Sequence, residues 1–344
     1  MDTDTLCHST EKTTMKHLTL SEQGSFCKLQ GERILVFNKD QMVFEGTLNR
    51  LKTISIVKQG VTLTSNLLVA CAMRGIQIFI LDYSGKAVCS LQGGLHRTAK
   101  VRESQFKYIY TKEASNMAAR FILAKIKNQS AVLKYFAKAK NRPENEKIIL
   151  HAASQKMAGI VAKITETNWI KLQDWRFTLL GFEGSAARIY WETVKEVNLV
   201  CSDFEGRRPR VNKDITNSML NYAYSILSSW VWQAITNAGL ELYAGILHTS
   251  KPGKPSLVLD LMEEFRPWCA DRIIFKLRAR AQKQNELTPA LKKTLIGEMA
   301  NLYAKPLPYH KRRISLESII QRQVYHLSAV FSGEGKYKGY LFKW

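Results

Sequence analysis

ASNMAARFILAKIKNQSAVLKYFAKAK, running from Ala114 to Lys140, is where the texture of this chain changes. Ala, Lys and Leu recur in it at helical spacing, which predicts a long helix. Pro143 interrupts the pattern, and ILHAASQKMAGIVAKI (Ile149 to Ile164) resumes it. Asn217 to His248 is a further apolar-helical region, divided near Gly239 and ending at His248, and residues 256–304 also favour helix. Upstream the pattern is different. SFCKLQGERILVF (Ser25 to Phe37) holds two short β-branched or aromatic runs broken at Gly31-Glu32, a hairpin signal. QMVFEG and KTISIV continue it, with a turn at Asn38-Lys39-Asp40. TSNLLVACAMRG predicts one helix capped by Thr64 or Ser65 and closed by Gly75. IQIFILDYSGKAVCSL predicts two strands around a Ser-Gly turn. The fold class expected is therefore α+β, a small N-terminal β-rich domain followed by a larger all-α domain.

The expected boundaries are a flexible leader over 1–16 (with Met15 as an alternative start), a β domain over 17–95, a linker over 96–106, a helical domain over 107–331, and a loose Gly- and Lys-rich tail over 332–344. The leader has no apolar core of the kind a secretory signal needs. No apolar run approaches the roughly 18–20 residues that span a bilayer. The six cysteines form no C-x-x-C pair and none shares a zinc-ligand spacing with a histidine. Buried, reduced thiols in an intracellular protein are expected.

Charge narrows the partners. The chain carries 51 Lys+Arg against 29 Asp+Glu, a net +22. Residues 1–100 hold 12 basic and 8 acidic side chains, leaving 39 basic and 21 acidic for the remainder. A basic excess concentrated in one segment points to a polyanion, most often nucleic acid.

Within that basic segment, HTSKPGKPSLVLDLMEEFRP (His248 to Pro267) is acidic in its second half. Ser256 is placed to cap a helix beginning at Leu257, and Pro267 to limit it past Arg266. Leu257, Leu261 and Phe265 form a buried stripe, and Asp260, Glu263 and Glu264 fall beside it at i, i+3 and i+4. Like charges so spaced repel, which a divalent cation offsets. Oxygen donors suit Mg²⁺ or Mn²⁺, and a histidine alongside favours tolerance of Mn²⁺. A solvated helix edge beside a core histidine accounts for the same residues. GFEGSAARIY (Gly181 to Tyr190) adds a carboxylate between two glycines, residues that permit close backbone approach.

Taken in order, GFEGSAAR-x-Tyr190, Asn217-x-x-Leu-Asn221-Tyr222-x-Tyr224, and His248-Thr-x-Lys251 with Asp260-Leu-x-Glu263-x-Phe-Arg266-Pro267 closely resemble the CRISPR-associated spacer-acquisition integrase (Cas1) family. The resemblance covers nearly everything after residue 17, including Ser21–Ser25, Leu81–Gly85 and Lys125-x-Lys127-Asn128-Gln129. It implies an N-terminal β domain, a helical catalytic domain and a homodimer. It further implies two such dimers flanking a dimer of a small partner, Cas2, in a heterohexamer. The implied metal ligands are Glu183, His248 and Glu263, where many members have aspartate at the third position. Asp260 matches a supporting acid, and Glu264 reads as a solvated neighbour.

The activity so implied is a Mg²⁺- or Mn²⁺-dependent endonuclease and integrase in the prokaryotic cytoplasm. It joins the 3′-hydroxyls of short foreign double-stranded DNA fragments to the CRISPR repeat by transesterification. No Ser–His–Asp or Cys–His signature competes. Arg188, Lys251, Arg266 and Arg278 are the candidate DNA contacts, with Lys254, Arg272, Lys276, Arg280, Lys283 and Lys311-Arg312-Arg313 as further basic residues. Tyr222, Tyr224 and Trp230 are more often core than base-stacking platforms at such spacing. Alternatives with related chemistry are a metal nuclease of DNA repair or a mobile-element integrase. A non-catalytic DNA-binding scaffold is the alternative of a different class.

Overall fold

The computed structural model describes residues 17–81, 87–91, 93, 99–208, 214–249, 251–284 and 286–343. The expected leader over 1–16, the Ser84-Gly85 turn, residues 94–95 of the expected β domain and residues 96–98 of the expected linker lie outside the described residues. The chain divides into two compact units, Met1–Arg97 and Thr98–Trp344.

In the first unit β2 (Phe26–Gln30), β3 (Arg33–Asn38) and β4 (Gln41–Thr47) pair antiparallel in sequence order. Lys39 and Asp40, both at positive φ, close the second hairpin. A short strand β6 (Thr62–Leu63) adds parallel to β2. The second sheet runs β1 (His17–Leu20), β5 (Thr53–Ile56), β7 (Gln77–Leu81), β8 (Ala87–Leu91), parallel except for the last pair. One helix, α1 (Ser65–Met73), contributes Leu67, Ala70 and Cys71 to a core with Leu18, Ile34, Val36, Ile54 and Ile78. Leu18 and Leu20 alternate with less buried neighbours on β1, whereas β3 and β7 bury continuous runs, Ile34–Val36 and Gln77–Phe79.

The second unit is helical: α2 (Ala99–Ile109), α3 (Glu113–Ala137), α4 (Glu144–Glu166), α5 (Trp175–Glu196), α6 (Ile215–Asn237), α7 (Ser256–Met262), α8 (Arg272–Ala281), α9 (Pro289–Ala304) and α10 (Leu316–Phe331). Three starts are written in the sequence. Asp214 accepts from the Asn217 amide at 2.7 Å, Thr288 precedes Pro289 and accepts from Leu291, and Ser315 accepts from Ser318. The mixed α+β order matches the fold class expected.

Several local expectations are corrected. Residues 99–106 of the expected linker are helical, and Gln105 is buried, donating to the Glu241 and Ala244 carbonyls at 2.9 Å. A hairpin, β9 (Pro306–Tyr309) with β10 (Arg312–Ser315), interrupts the helical series. Residues 332–343 are not loose: Tyr337, Tyr340 and Phe342 are buried, Tyr337 edge-on to Phe121, and Tyr340 and Phe342 stacked on Phe265 and Trp268. Ser256 makes no capping bond; its hydroxyl donates to the Thr249 carbonyl. Pro267 does not end the helical path. It enters a π-turn (Pro267–Asp271) that leads into α8, with Arg266 still helical. A proline lacks only the amide that an opening turn leaves unpaired. Cys27, Cys71, Cys201 and Cys269 are buried free thiols as expected, but Cys89 is exposed. Among the described residues, no helix is long and apolar enough to cross a membrane.

Candidate active site

Burial sends the three acids after Ser256 in three directions. Asp260 lies on α7 with no exposed surface and reads the loop that follows Gly239. Its Oδ2 accepts from the Ile246 and Leu247 amides at 2.5 and 3.0 Å, and its Oδ1 accepts from the His248 amide at 2.9 Å. The same Oδ1 lies 2.7 Å from His248 Nδ1. A carboxylate accepts only, so Nδ1 carries the hydrogen of this contact, and Nε2 is the ring nitrogen that Asp260 leaves to another partner. His248 therefore sits in a loop rather than at a helix end. That loop is clamped from the other side by Arg176 of α5, which donates to the Leu247 and Ile246 carbonyls at 3.0 and 2.8 Å. Gly245 makes the close approach possible: a Cβ there would lie 2.6 Å from Ser256 Cβ and 2.9 Å from Asp260 Oδ2.

Glu263, one turn on, points elsewhere. Its side chain is 2% exposed, and its Oε1 pairs with Arg266 at 3.2 Å. Its Oε2 pairs with Lys125 of α3 at 2.7 Å but accepts no well-aligned hydrogen bond. The Lys125 ammonium also pairs with Glu183 of α5, so one cation is shared by carboxylates from two distant segments. Burial pushes the Glu263 carboxyl up, but Arg266, Lys125 and His248 outweigh it and hold the group at about 2.

Glu264 is not a solvated neighbour. It is fully buried and accepts from the Tyr337 hydroxyl at 3.0 Å and the Tyr340 amide at 2.9 Å, with Gln323 at 3.3 Å. Burial pushes its carboxyl up to about 8 against the pull of these donors. Consecutive helical residues point about 100° apart, so Glu263 meets Lys125 while Glu264 anchors the tail.

The expected metal ligands are thus partly assembled. Glu183 and Glu263 meet through Lys125, and His248 acts on Glu263 electrostatically. Among the described residues, no three His, Cys, Asp or Glu side chains form a ready cluster. The donors nevertheless suit a hard divalent cation: two carboxylates already sharing a cation, a buried carboxylate oxygen without a hydrogen bond, and the imidazole nitrogen that Asp260 does not engage. Gly181 and Gly184 beside Glu183 were expected to admit close packing. A Cβ at either meets nothing within 4 Å, so their bare backbone borders open space instead.

The candidate DNA contacts separate. Arg188 and Lys251 are exposed. Arg266 is committed to Glu263 and lies 5.0 Å over the Tyr224 ring, and Arg278 donates to the Val200 carbonyl. Tyr224 donates to Asp271 at 2.6 Å, and Trp230 stacks on Tyr303 at 4.1 Å, so both serve the core. Lys125 is the site residue that composition and spacing did not single out. Its signal is a lysine on the same helical face as Phe121, Ile122, Asn128 and Gln129, all buried.

The family described as CRISPR associated protein Cas1 matches the chain over residues 18–300. A relative from Francisella tularensis subsp. novicida (strain U112), "CRISPR-associated endonuclease Cas1 1", is 42% identical over 331 residues, covering 96% of this chain and 100% of the relative. Among solved structures, a casposase bound to integration product superposes with a TM-score of 0.76 at 22% identity, covering 94% of this chain and 93% of that one. A Cas6-RT-Cas1–Cas2 complex gives 0.76 at 19% identity, covering 96% of this chain and 36% of that one. At these identities the two structures speak to the fold.

Proposed function

This chain belongs to the CRISPR-associated Cas1 family, and from that premise we propose that it is a divalent-metal-dependent DNA integrase with endonuclease activity. It joins the 3′-hydroxyls of short foreign DNA fragments to the CRISPR repeat. The observation that carries this reading is the convergence of Glu183 and Glu263 on one buried cation beside a histidine fixed by Asp260. The names of its relatives supply the reaction class: an endonuclease at 42% identity, and a casposase with its integration product.

Glu183, Glu263 and His248 Nε2 would hold Mg²⁺ or Mn²⁺. Bound there, the ion would polarise the scissile phosphate and stabilise charge on the attacking and leaving oxygens. The chain's own residues do the rest. Asp260 and Arg176 fix the loop that carries His248. Arg266, paired with Glu263 Oε1, helps to keep that buried acid charged. Arg188 and Lys251 offer exposed charge to the phosphate backbone, and the bare backbone at Gly181 and Gly184 leaves room for it. In the transesterification the fragment's O3′ forms a new bond to phosphorus, the repeat strand's P–O3′ bond breaks, and the freed O3′ takes up a proton. Phosphodiester bonds are conserved in number, so no protein nucleophile or energy source is required. Water in place of the 3′-hydroxyl gives cleavage. Homodimerisation and a heterohexamer with Cas2 are the assembly we propose, in keeping with the Cas1–Cas2 complex of the same fold.

The test is to incubate the purified protein with Mg²⁺ or Mn²⁺, a short duplex with free 3′ ends, and supercoiled plasmid with or without the repeat. Joined products that depend on the repeat support the reading. Cleavage without joining favours a plain nuclease, and joining indifferent to the repeat favours a mobile-element integrase. Activity surviving both Glu183→Ala and His248→Ala removes the site.

A further inference from the structure

Lys125 occupies a position that the proposed chemistry does not use. It projects from the buried face of α3, between Phe121–Ile122 and Asn128, and its side chain is 13% exposed. Its ammonium pairs with Glu183 and, at 2.7 Å, with Glu263 Oε2. Two carboxylates brought this close, one of them 2% exposed, repel each other strongly unless a positive charge stands with them. With Lys125 and Arg266 the local charge is balanced at two acids against two bases. A divalent ion entering between the same carboxylates leaves an excess of two positive charges, so a resident cation must move away.

Arg266 is poorly placed to do so. It is paired with Glu263 Oε1 at 3.2 Å and lies over the Tyr224 ring at 5.0 Å, a ring flanked also by Arg207 at 5.2 Å. Lys125 ends a flexible four-carbon stem and carries a compact, readily rehydrated charge. We infer that Lys125 is a positioning residue, a resident counter-ion that holds Glu183 and Glu263 together in the metal-free protein and withdraws as a divalent cation binds. This rests on the reading of Glu183, Glu263 and His248 as metal ligands. The expected consequence is a trade: Lys125 lends the empty site stability and lowers its affinity for metal.

Two measurements on the full chain test this, for wild type, Lys125→Met, Lys125→Arg, and the Glu183→Gln/Glu263→Gln pair with and without Lys125→Met. In EDTA, Lys125→Met should melt below wild type, and the loss should shrink by at least about half when both acids are already neutral. In a Mn²⁺ titration followed by the electron paramagnetic resonance of free Mn²⁺, Lys125→Met should bind roughly tenfold tighter than wild type. Lys125→Arg keeps the charge and should stay near wild type in both. Unchanged or weaker Mn²⁺ binding by Lys125→Met overturns the withdrawal. A melting loss in EDTA that is just as large without the two acid charges overturns the counter-ion. If wild type binds no Mn²⁺ at all, the metal reading and the withdrawal fall together, and the EDTA melts still judge the counter-ion.

Discussion

Asp260 shows how much one side chain can organise without touching substrate. It gathers three backbone amides and the His248 ring, so its loss frees the loop that presents the imidazole. Asp260→Asn keeps the size but sets an NH₂ against amide donors. Strand joining should fall roughly 10–100-fold, as for other groups that orient a metal-binding histidine, while far-ultraviolet circular dichroism stays native. Asp271 gives a pH signature. Burial raises its carboxyl from 3.8 to about 6, despite the Tyr224 hydroxyl, which donates to it at 2.6 Å and pulls it down. The folded state therefore favours the protonated acid. Its contribution is fully present below the unfolded value and is lost as pH rises through the folded one. Between pH 4 and 7 the wild type should lose about 1–3 kcal/mol relative to Asp271→Asn, read as diverging melting temperatures. At this scale, Glu183, His248 and Glu263 are legible from motif order. Glu263 and Glu264 are both plain helical glutamates in the sequence, and only the fold decides which meets Lys125 and which meets Tyr337.

Elements meet here through glycines at contacts where a methyl group does not fit. Gly245 lets the His248 loop lie against the start of α7, with a Cβ only 2.7 Å from the Ser256 carbonyl carbon. Gly245→Ala should cost about 1–3 kcal/mol in denaturant unfolding and lower joining further by displacing His248. Gly339 does the same for the C-terminal segment, where a Cβ would fall 2.5 Å from Ala124 Cβ and 2.8 Å from Glu264 Oε2. Neither of these glycines was legible as a packing device, whereas Gly181 and Gly184, expected to be packed, border open space. Sequence composition shows that a glycine is present but not what crosses over it. The tail was misjudged for a related reason: its Gly and Lys content outweighs Tyr337, Tyr340 and Phe342, the residues that bury it. The hairpin at 306–315 escaped notice because Pro306 and Pro308 argue against a strand, although an isolated two-stranded pair tolerates them.

The molecule as a whole is a β unit and a helical unit in one strongly basic chain. That order was legible because periodicity two gives way to periodicity 3.6 near residue 100, and periodicity survives without knowledge of contacts. The candidate site was legible only as a list that lacked Lys125, since Glu183, Lys125 and Glu263 meet through folding rather than proximity in sequence. The net charge of +22 predicts salt-sensitive DNA binding. Arg188→Ala and Lys251→Ala should each lower the slope of log affinity against log salt by about one, and Arg278→Ala, whose guanidinium is held by the Val200 carbonyl, should leave it unchanged. The most direct measurement is strand joining by Glu263→Gln with Mn²⁺, a duplex bearing free 3′-hydroxyls and a repeat-carrying plasmid. The Gln side chain keeps the shape and removes the charge. DNA binding should remain within about twofold of wild type while joined product falls by about 10²-fold or more; joining at the wild-type rate would contradict the account.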